Sequence, residues 1–197
     1  VDVNRSVQPG VDANLTDGIC DSNTSSAGEQ CSLRAAVQQA NANAGANTIL
    51  LPGGEYIFTL AGRAENASAT GDLDIYSNIT IQGTGAEDAV IQAGTTPGND
   101  YGEGTDAVDR VFHITNGSTV VFTGMTIRHG RAPNGQDTVT GNAENGANGG
   151  GIYAGGGKLT LNHCIVYKNR SGNGGSVQTA GGGTPGNGGS GGGIYFA

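Results

Sequence analysis

The chain repeats itself at a nearly fixed interval, and this constrains its fold more than any other feature. Residues 120–127 (VVFTGMTI) align with residues 159–166 (LTLNHCIV) at an offset of 39, and the phrase GGGIY at 149–153 recurs 42 residues later. Residues 79–81 fit the same template, and residues 49–51 fit it more weakly. A repeat of this kind cannot bury an apolar face alone, so successive copies must stack on one another.

Within each repeat, apolar and polar residues alternate over short runs, which places the apolar residues on one face of a β-strand. Glycine and asparagine, which tolerate positive φ, separate the runs. No helical pattern lies between successive strands. These features predict a right-handed parallel β-helix, in which equivalent residues stack about 4.8 Å apart. Cys164 takes the inward position of Met125 in the preceding coil, so we expect a buried, inert thiol.

One amphipathic helix is predicted, near the start of the chain. Ser32 is a suitable N-cap residue, and apolar residues recur after it at helical spacing, which indicates a helix over 33–42. These apolar residues are Leu33, Ala36, Val37 and Ala40. A solenoid needs a cap over its first coil edge, and this helix is well placed to provide it.

The cysteines divide into a predicted pair and a single thiol. Cys20 and Cys31 flank a polar segment, so we expect a disulfide between them, which is typical of an oxidising compartment. With the helix, this loop defines a cap over residues 1–46. Residues 47–197 are predicted to form the coils, and the last coil, which restarts near the second GGGIY, is expected to be incomplete.

Composition excludes several classes of function. The 197 residues carry 9 Lys+Arg against 17 Asp+Glu, a net charge of −8. Nucleic acid is not an expected partner, because phosphate binding needs clustered basic residues. No stretch approaches the roughly 18 apolar residues that a membrane span requires, so none is expected in this segment. The 38 glycines lack the three-residue period of collagen throughout the chain.

The segment CSLRAAV at 31–37 resembles the CSLREA-type N-terminal segment of secreted and cell-surface parallel β-helix proteins of bacteria and archaea. Further phrases are similar to this family and extend the resemblance over nearly the whole chain: DGIC at 17–20, ANAN at 40–43, ILLPGGEY at 49–56, GDLDI at 71–75, ITIQG at 79–83, DRVF at 109–112 and GGGIY. The resemblance implies a β-helix and a secreted or surface location, but no particular reaction. Ala35 stands where the family usually has glutamate, and we expect this helix-surface difference to matter little.

Paired carboxylates are the main candidates for chemistry. Asp72 and Asp74 are two residues apart, so both side chains point to one face of a strand. They could act as acid and base at a glycosidic bond, or bind calcium. The simpler interpretation, which we favour, is that they face solvent or a turn while Leu73 and Ile75 point inward.

A second acidic group follows in a loop of glycine and threonine. It comprises Asp100, Glu103, Asp106 and Asp109. Calcium could bind there, but the regular Asp/Asn alternation of a calcium loop is absent, so a solvated acidic loop is the favoured interpretation. Calcium is the one cofactor considered, and no catalytic set is assigned.

The histidines give weak signals. Arg128-His129-Gly130 invites comparison with motifs of pectin-degrading β-helices, but the accompanying aspartate motifs are missing, so His129 is interpreted as a turn residue. His113 and His163 alternate with apolar residues and are expected to point outward. No two histidines have metal-ligand spacing, so zinc is not expected.

Two long insertions, 133–150 and 171–192, consist almost wholly of Gly, Asn, Ser, Thr and Ala. Both follow equivalent strands, so both should emerge at the same corner of the coil and form a ridge. They could be flexible surface loops, or a packing or binding face where bare backbone approaches a neighbour or a glycan.

Three functions remain open at this point. The first is a non-catalytic extracellular scaffold or adhesive protein, which could serve as a fibre subunit that self-associates through its last coil or its glycine-rich ridge. The second is a polysaccharide lyase or glycoside hydrolase that uses Asp72, Asp74 or the acidic loop. The third is a glycan-binding module without turnover, in which the ridge takes part.

Overall fold

A computed structural model describes residues 10–22, 30–63, 65–94, 109–115, 117–178 and 182–197. These residues form a parallel β-solenoid with one short helix, as predicted. The elements are α1 Leu33–Ala42, β1 Ala46–Leu51, β2 Gly54–Phe58, β3 Leu73–Ile75, β4 Asn78–Gly83, β5 Ala89–Ala93, β6 Phe112–Thr115, β7 Thr119–Thr123, β8 Thr126–Arg128, β9 Ile152–Gly155, β10 Lys158–Asn162, β11 Ile165–Tyr167 and β12 Ile194–Phe196. No helix in the described ranges is long and apolar enough to cross a membrane.

The strands form three parallel sheets of four strands, so each coil has three sides. The first sheet has the order β1-β4-β7-β10, the second β2-β5-β8-β11 and the third β3-β6-β9-β12. Leu159 pairs with Val120 and Ile194 pairs with Ile152, which confirms the offsets read from the sequence. Ile49 pairs with Ile81 rather than Ile79. This two-residue shift from our alignment leaves the side chains on the same face, because strand periodicity is two.

Inward-pointing apolar residues stack from coil to coil and form one core. On the first sheet, Ile79 and Val120 are both buried and paired. The Phe112 and Phe122 rings lie 4.5 Å apart across the interior. Burying one such side chain stabilises the fold by roughly 1.5–3 kcal/mol. The polar side chains on the outer faces of the strands do not make this contribution.

Cys164 is at the predicted inward position but is less buried than we expected. Met125 in the preceding coil is fully buried, whereas Cys164 is half-buried and packs against the edge of the core. Its Sγ lies 3.4 Å from the carbonyl oxygen of Phe122. The difference has a physical cause, since Met125 lies between two described coils and Cys164 contacts only one.

Helix α1 covers the first coil as predicted. It packs on β1 and β3, and the Ser32 hydroxyl caps it by accepting a hydrogen bond from the Ala35 amide at 2.9 Å. Cys20 and Cys31 form the predicted disulfide. Ala35, however, is fully buried rather than on the helix surface. A glutamate at this position would have to be accommodated inside the cap, so our expectation of a helix-surface position is wrong.

Arg34 joins the helix to the loop that precedes β3. Its guanidinium is fully buried and donates four hydrogen bonds to backbone carbonyl oxygens. The acceptors are Ser68 (2.8 Å), Thr70 (3.3 Å) and Asp72 (3.2 Å) for Nη1, and Gly71 (2.6 Å) for Nη2. Burial lowers the pKa of Arg34 to about 10, so it stays charged at neutral pH. The planar guanidinium group holds its donors in fixed directions, so it can bond several carbonyl oxygens at once better than the ammonium group of lysine could.

The two glycine-rich insertions form an ordered layer rather than flexible loops. We call residues 131–150 the first arm and residues 170–192 the second arm; residues 179–181 lie outside the described ranges. Within the first arm the chain runs outward and then returns, and the amides of Ala147 and Glu144 donate to the carbonyl oxygens of Pro133 and Gln136. These pairs recur every third residue, the repeat of a polyproline II helix.

The second arm lies directly on the first. The amide of Gly172 donates to the carbonyl of Ala147, and that of Gly175 donates to the carbonyl of Glu144, both within 2.9 Å. A Cβ built on Gly172 would collide with the carbonyl oxygen of Pro133. Glycine is therefore required where one arm approaches the other within the chain, whereas packing of the insertions against a neighbour or a glycan stays a prediction.

Asparagine side chains reinforce this stacking. The Oδ1 atoms of Asn142, Asn145 and Asn148 accept hydrogen bonds from backbone amides 42 residues later. The three donors are Thr184, Asn187 and Ser190. The prevalence of asparagine in the arms thus has a structural cause.

We predict that Arg34→Lys destabilises the fold by about 2–4 kcal/mol, because lysine cannot reproduce the buried fork and leaves carbonyl oxygens unsatisfied. Urea denaturation followed by circular dichroism measures the effect. Arg63→Lys, at an exposed arginine, is the control and should change the free energy of unfolding by less than about 0.5 kcal/mol. Equal effects of the two substitutions would contradict the role assigned to Arg34.

Candidate functional site

The outer face of the third sheet carries a ladder of polar and aromatic side chains. Asp74 in β3 pairs with His113 in β6, which pairs with Tyr153 in β9, which pairs with Tyr195 in β12. Residues at equivalent strand positions point the same way. Parallel stacking therefore aligns an acid, an imidazole and two phenols that are distant in the sequence.

Asp74 is buried beneath the loop that Arg34 holds. The side chain points away from the core, as strand alternation predicted, but the residue is only 1% exposed. Its Oδ1 lies 3.0 Å from Nδ1 of His113, and its Oδ2 accepts a hydrogen bond from the Ser68 amide at 3.0 Å. The solvent-facing position that we favoured for Asp74 is therefore wrong. The loop before β3 folds back over this strand and shields Asp74 from water.

Asp72 is also buried, at 4% exposure, and so is likewise not solvent-facing. Its Oδ2 forms an ion pair with Nη1 of Arg110 at 3.2 Å. Burial raises the pKa of Asp72 to about 8; the nearby Asp109 and Asp74 carboxylates add to this rise, and Arg110 opposes it. Burial likewise raises the pKa of Asp109. This cluster holds more negative charge than its arginine partner neutralises at close range, so proton binding relieves the repulsion.

The ladder continues into stacked aromatic rings. The His113 ring meets the Tyr153 ring edge-on at 5.2 Å, and the Tyr153 and Tyr195 rings stack at 5.6 Å. The Arg110 guanidinium lies 5.5 Å from the centre of the Tyr153 ring. The stacked faces of the two tyrosines are turned towards each other along the solenoid, so each covers one face of its neighbour.

A shallow cleft lies beside this ladder, where the first arm meets the third sheet. It has a volume of about 370 Å³. Its lining consists of Arg110, His113, Ala147, Asn148 and Tyr153. The cleft thus offers a guanidinium, an imidazole, an amide and a phenol within a small space, groups that can donate hydrogen bonds to a polar ligand.

The structure brings together one group with metal-ligand character, although no pair of histidines is involved. Asp72, Asp74 and His113 each place one ligand atom within 4.8 Å of the other two. Both oxygens of Asp74 already accept protein hydrogen bonds, and Asp72 is paired with Arg110. A cation would have to displace Arg110 and the Asp74–His113 contact, so the donor set fits a hydrogen-bonded network better than a metal site.

The other residues predicted from the sequence lie in different places. Asp109 joins the Asp72 cluster, whereas Asp100, Glu103 and Asp106 lie outside the described residues. His129 follows β8 with a φ of 61°, which confirms a turn residue. His163 is exposed at the corner between β10 and β11, as expected, with a φ of 52°. Neither belongs to the cluster.

Sequence reasoning missed Arg110 and Ser68, which complete the network. Ser68 both donates to and accepts from the Asp74 backbone, at 2.9 Å and 2.7 Å. Its φ of 54° marks a tight loop. For Arg110, a signal was present: it follows Asp109 and lies 38 residues after Asp72, close to the repeat interval. Reading the charged residues in register would have paired them.

Comparison of the chain with family models, curated proteins and solved structures found no match.

The raised pKa of Asp72 predicts a pH-dependent stability. Because the folded state binds the Asp72 proton more tightly than the unfolded chain, the free energy of unfolding should fall as pH rises from about 4 to about 8. Asp72→Asn removes this contribution, so the variant should lose less stability than the wild type between about pH 5 and about pH 8. Urea denaturation at both pH values measures the difference. Glu87→Gln, at an exposed acid, is the control and should retain the wild-type pH dependence.

Proposed function

We propose that this protein is a non-catalytic structural or adhesive scaffold of the cell exterior. The observation that carries the proposal is that outward polar side chains of the second and third sheets bond one coil to the next. In the arms, too, asparagine side chains bond one arm to the next. A chain built in this way is suited to forming a rigid rod and presenting a surface.

The second sheet gives the clearest example of such bonding. Arg128 donates hydrogen bonds to Gln92 in the preceding coil and Tyr167 in the following one, at 2.8 Å and 3.0 Å. It also forms an ion pair with Glu55 at 2.8 Å. One side chain therefore connects all four strands of this sheet, which is a stabilising arrangement rather than a catalytic one.

The extracellular location is supported by the Cys20–Cys31 disulfide, because such bonds persist in oxidising compartments. The resemblance of CSLRAAV to surface β-helix proteins points the same way and remains a prediction. We expect alkylation of the natural protein, denatured without reductant, to label Cys164 but not Cys20 or Cys31, and peptide mass spectrometry to locate the added group. Labelling of three cysteines would place the protein in a reducing compartment and contradict the proposal.

A lyase or hydrolase is less well supported. Burial raises the pKa of Asp72 and so favours its protonated form, the form that a general acid requires. A glycosidic bond must, however, reach the acid, and Asp72 is buried and held by Arg110. The neighbouring Asp74 carboxylate is bonded on both oxygens.

Polysaccharide turnover tests the proposal directly. We expect no release of reducing ends or unsaturated products from polyuronates or neutral glucans, because the buried carboxylates cannot contact the substrate. Product formation that Asp72→Asn abolishes would overturn the non-catalytic proposal. Glu87→Gln is the matched control, because it removes one exposed carboxylate on another face.

Glycan binding without turnover is a second candidate, which the cleft beside Tyr153 favours. We expect Tyr153→Phe to weaken binding of a neutral oligosaccharide by about two- to tenfold, the effect of losing one hydrogen bond, while leaving the ring stack intact. Tyr195→Phe is the control, because Tyr195 continues the stack and does not line the cleft. Isothermal calorimetry measures both. Equal affinities of the wild type and Tyr153→Phe would remove this candidate.

A further inference from the structure

The cleft between the first arm and the third sheet contains an arginine whose hydrogen-bonding capacity is largely unused. A guanidinium group has five N–H donors. In Arg110, Nη1 pairs with Asp72 at 3.2 Å, and Nη2 has a long contact of 3.5 Å with the carbonyl oxygen of Asn148. Its Nε is buried and has no partner among the described residues. Because Arg110 lines the cleft, its terminal nitrogens keep donors for a ligand there.

Three further residues that line the cleft each keep one polar atom unpaired within the described part of the chain. The Oδ1 atom of Asn148 accepts from the Ser190 amide at 2.6 Å, which leaves Nδ2. The Nδ1 atom of His113 contacts Asp74 at 3.0 Å, which leaves Nε2. The hydroxyl of Tyr153 is the third such group. The cleft therefore offers a ligand a charged donor, an amide donor, a ring nitrogen and a hydroxyl.

Contacts with neighbouring coils hold these groups in place before a ligand arrives. The second arm fixes Asn148, the buried Asp74 carboxylate fixes the His113 ring, and the Tyr153 ring stacks on that of Tyr195 at 5.6 Å. A ligand that binds pre-arranged groups loses less free energy to the ordering of side chains. The volume of about 370 Å³ is near the lower end of the range for ligand sites, so the cleft suits a small unit such as one sugar residue.

The lining of the cleft favours a negatively charged ligand. Arg110 is the one lining residue with a permanent charge, and no carboxylate is among the five. Burial raises the pKa of Asp72, which favours its uncharged form and so leaves more of the Arg110 charge for a ligand. A guanidinium group bonds a carboxylate more strongly than it bonds a neutral oxygen.

We propose that the cleft binds a uronate residue of an acidic glycan. The inference rests on glycan binding, the second candidate function, and names the class of sugar. The uronate carboxylate accepts hydrogen bonds from Arg110 and from Nδ2 of Asn148. A sugar hydroxyl donates to Nε2 of His113, which is the acceptor in a neutral ring whose Nδ1 donates to Asp74. The Tyr153 hydroxyl bonds a second sugar oxygen. A neutral sugar lacks a group that neutralises Arg110.

Isothermal calorimetry with two trisaccharides tests the class of sugar. Trigalacturonate should bind at least about tenfold more tightly than maltotriose, because only trigalacturonate provides a carboxylate for Arg110. Added salt should weaken the binding of trigalacturonate more than that of maltotriose, since salt screens the interaction between charges.

Asn148→Asp tests the location of the site. The substitution keeps an oxygen that can accept from the Ser190 amide, but it replaces the Nδ2 donor with a negative charge inside the cleft. It should weaken trigalacturonate binding by at least about tenfold. Asn145→Asp is the matched control, because Asn145 makes the equivalent contact with the Asn187 amide at 2.7 Å and does not line the cleft. This variant has the same net charge and should keep the wild-type affinity. Circular dichroism checks that both variants are folded.

The outcomes separate this inference from the function on which it rests. Equal affinity for the two trisaccharides would overturn the inference and leave glycan binding in place. So would unchanged trigalacturonate binding in Asn148→Asp, or an equal loss of binding in Asn148→Asp and Asn145→Asp. Binding of neither trisaccharide would overturn both the inference and the glycan-binding candidate. The non-catalytic role is decided separately, by the polysaccharide turnover assay.

Discussion

The backbone hydrogen bond between one coil and the next is the interaction on which the rest of this structure depends. It joins the strands of all three sheets, and it joins the arms at every third residue. Each bond contributes a net of only about 0.5–1.5 kcal/mol, but leaving a buried backbone group unpaired costs more than that. The stack therefore keeps its register along its whole length, and side chains can be stacked in rows.

The ladder on the third sheet follows from this register. Asp74, His113 and Tyr153 are far apart in the sequence, yet pairing of their strands makes their contact unavoidable. Arg34 then decides the environment of these side chains, because it holds the loop that shields Asp72 and Asp74 from water. The raised pKa of Asp72 is a consequence of that shielding. A perturbed acid is often the sign of a catalytic site, but here burial and the neighbouring Asp109 and Asp74 carboxylates account for the raised pKa.

Backbone hydrogen bonds between coils also hold the arms together, outside the solenoid core. Side chains do little of the packing there, since the close contacts are between backbone atoms that only glycine allows. A layer held in this way has no large apolar interior, and its strength grows with the number of arms in register. This arrangement accounts for a glycine content that a conventional core would not need, and it is compatible with the scaffold role that we propose.

The sequence by itself determined the parallel β-solenoid, the capping helix and the Cys20–Cys31 disulfide. Strand alternation and the repeat interval predicted the solenoid. Ser32 and the helical spacing of apolar residues predicted the helix, and the two cysteines around a polar segment predicted the disulfide. Tertiary structure alone decided that Asp72, Asp74 and Ala35 are buried. Asp72 and Asp74 are covered by the loop before β3, and Arg34 holds this loop from more than thirty residues away. No local pattern encodes such a contact. The sequence did not predict the regular conformation of the arms for a related reason. Glycine favours no single backbone conformation by itself, and these segments become regular only when they pack against another arm.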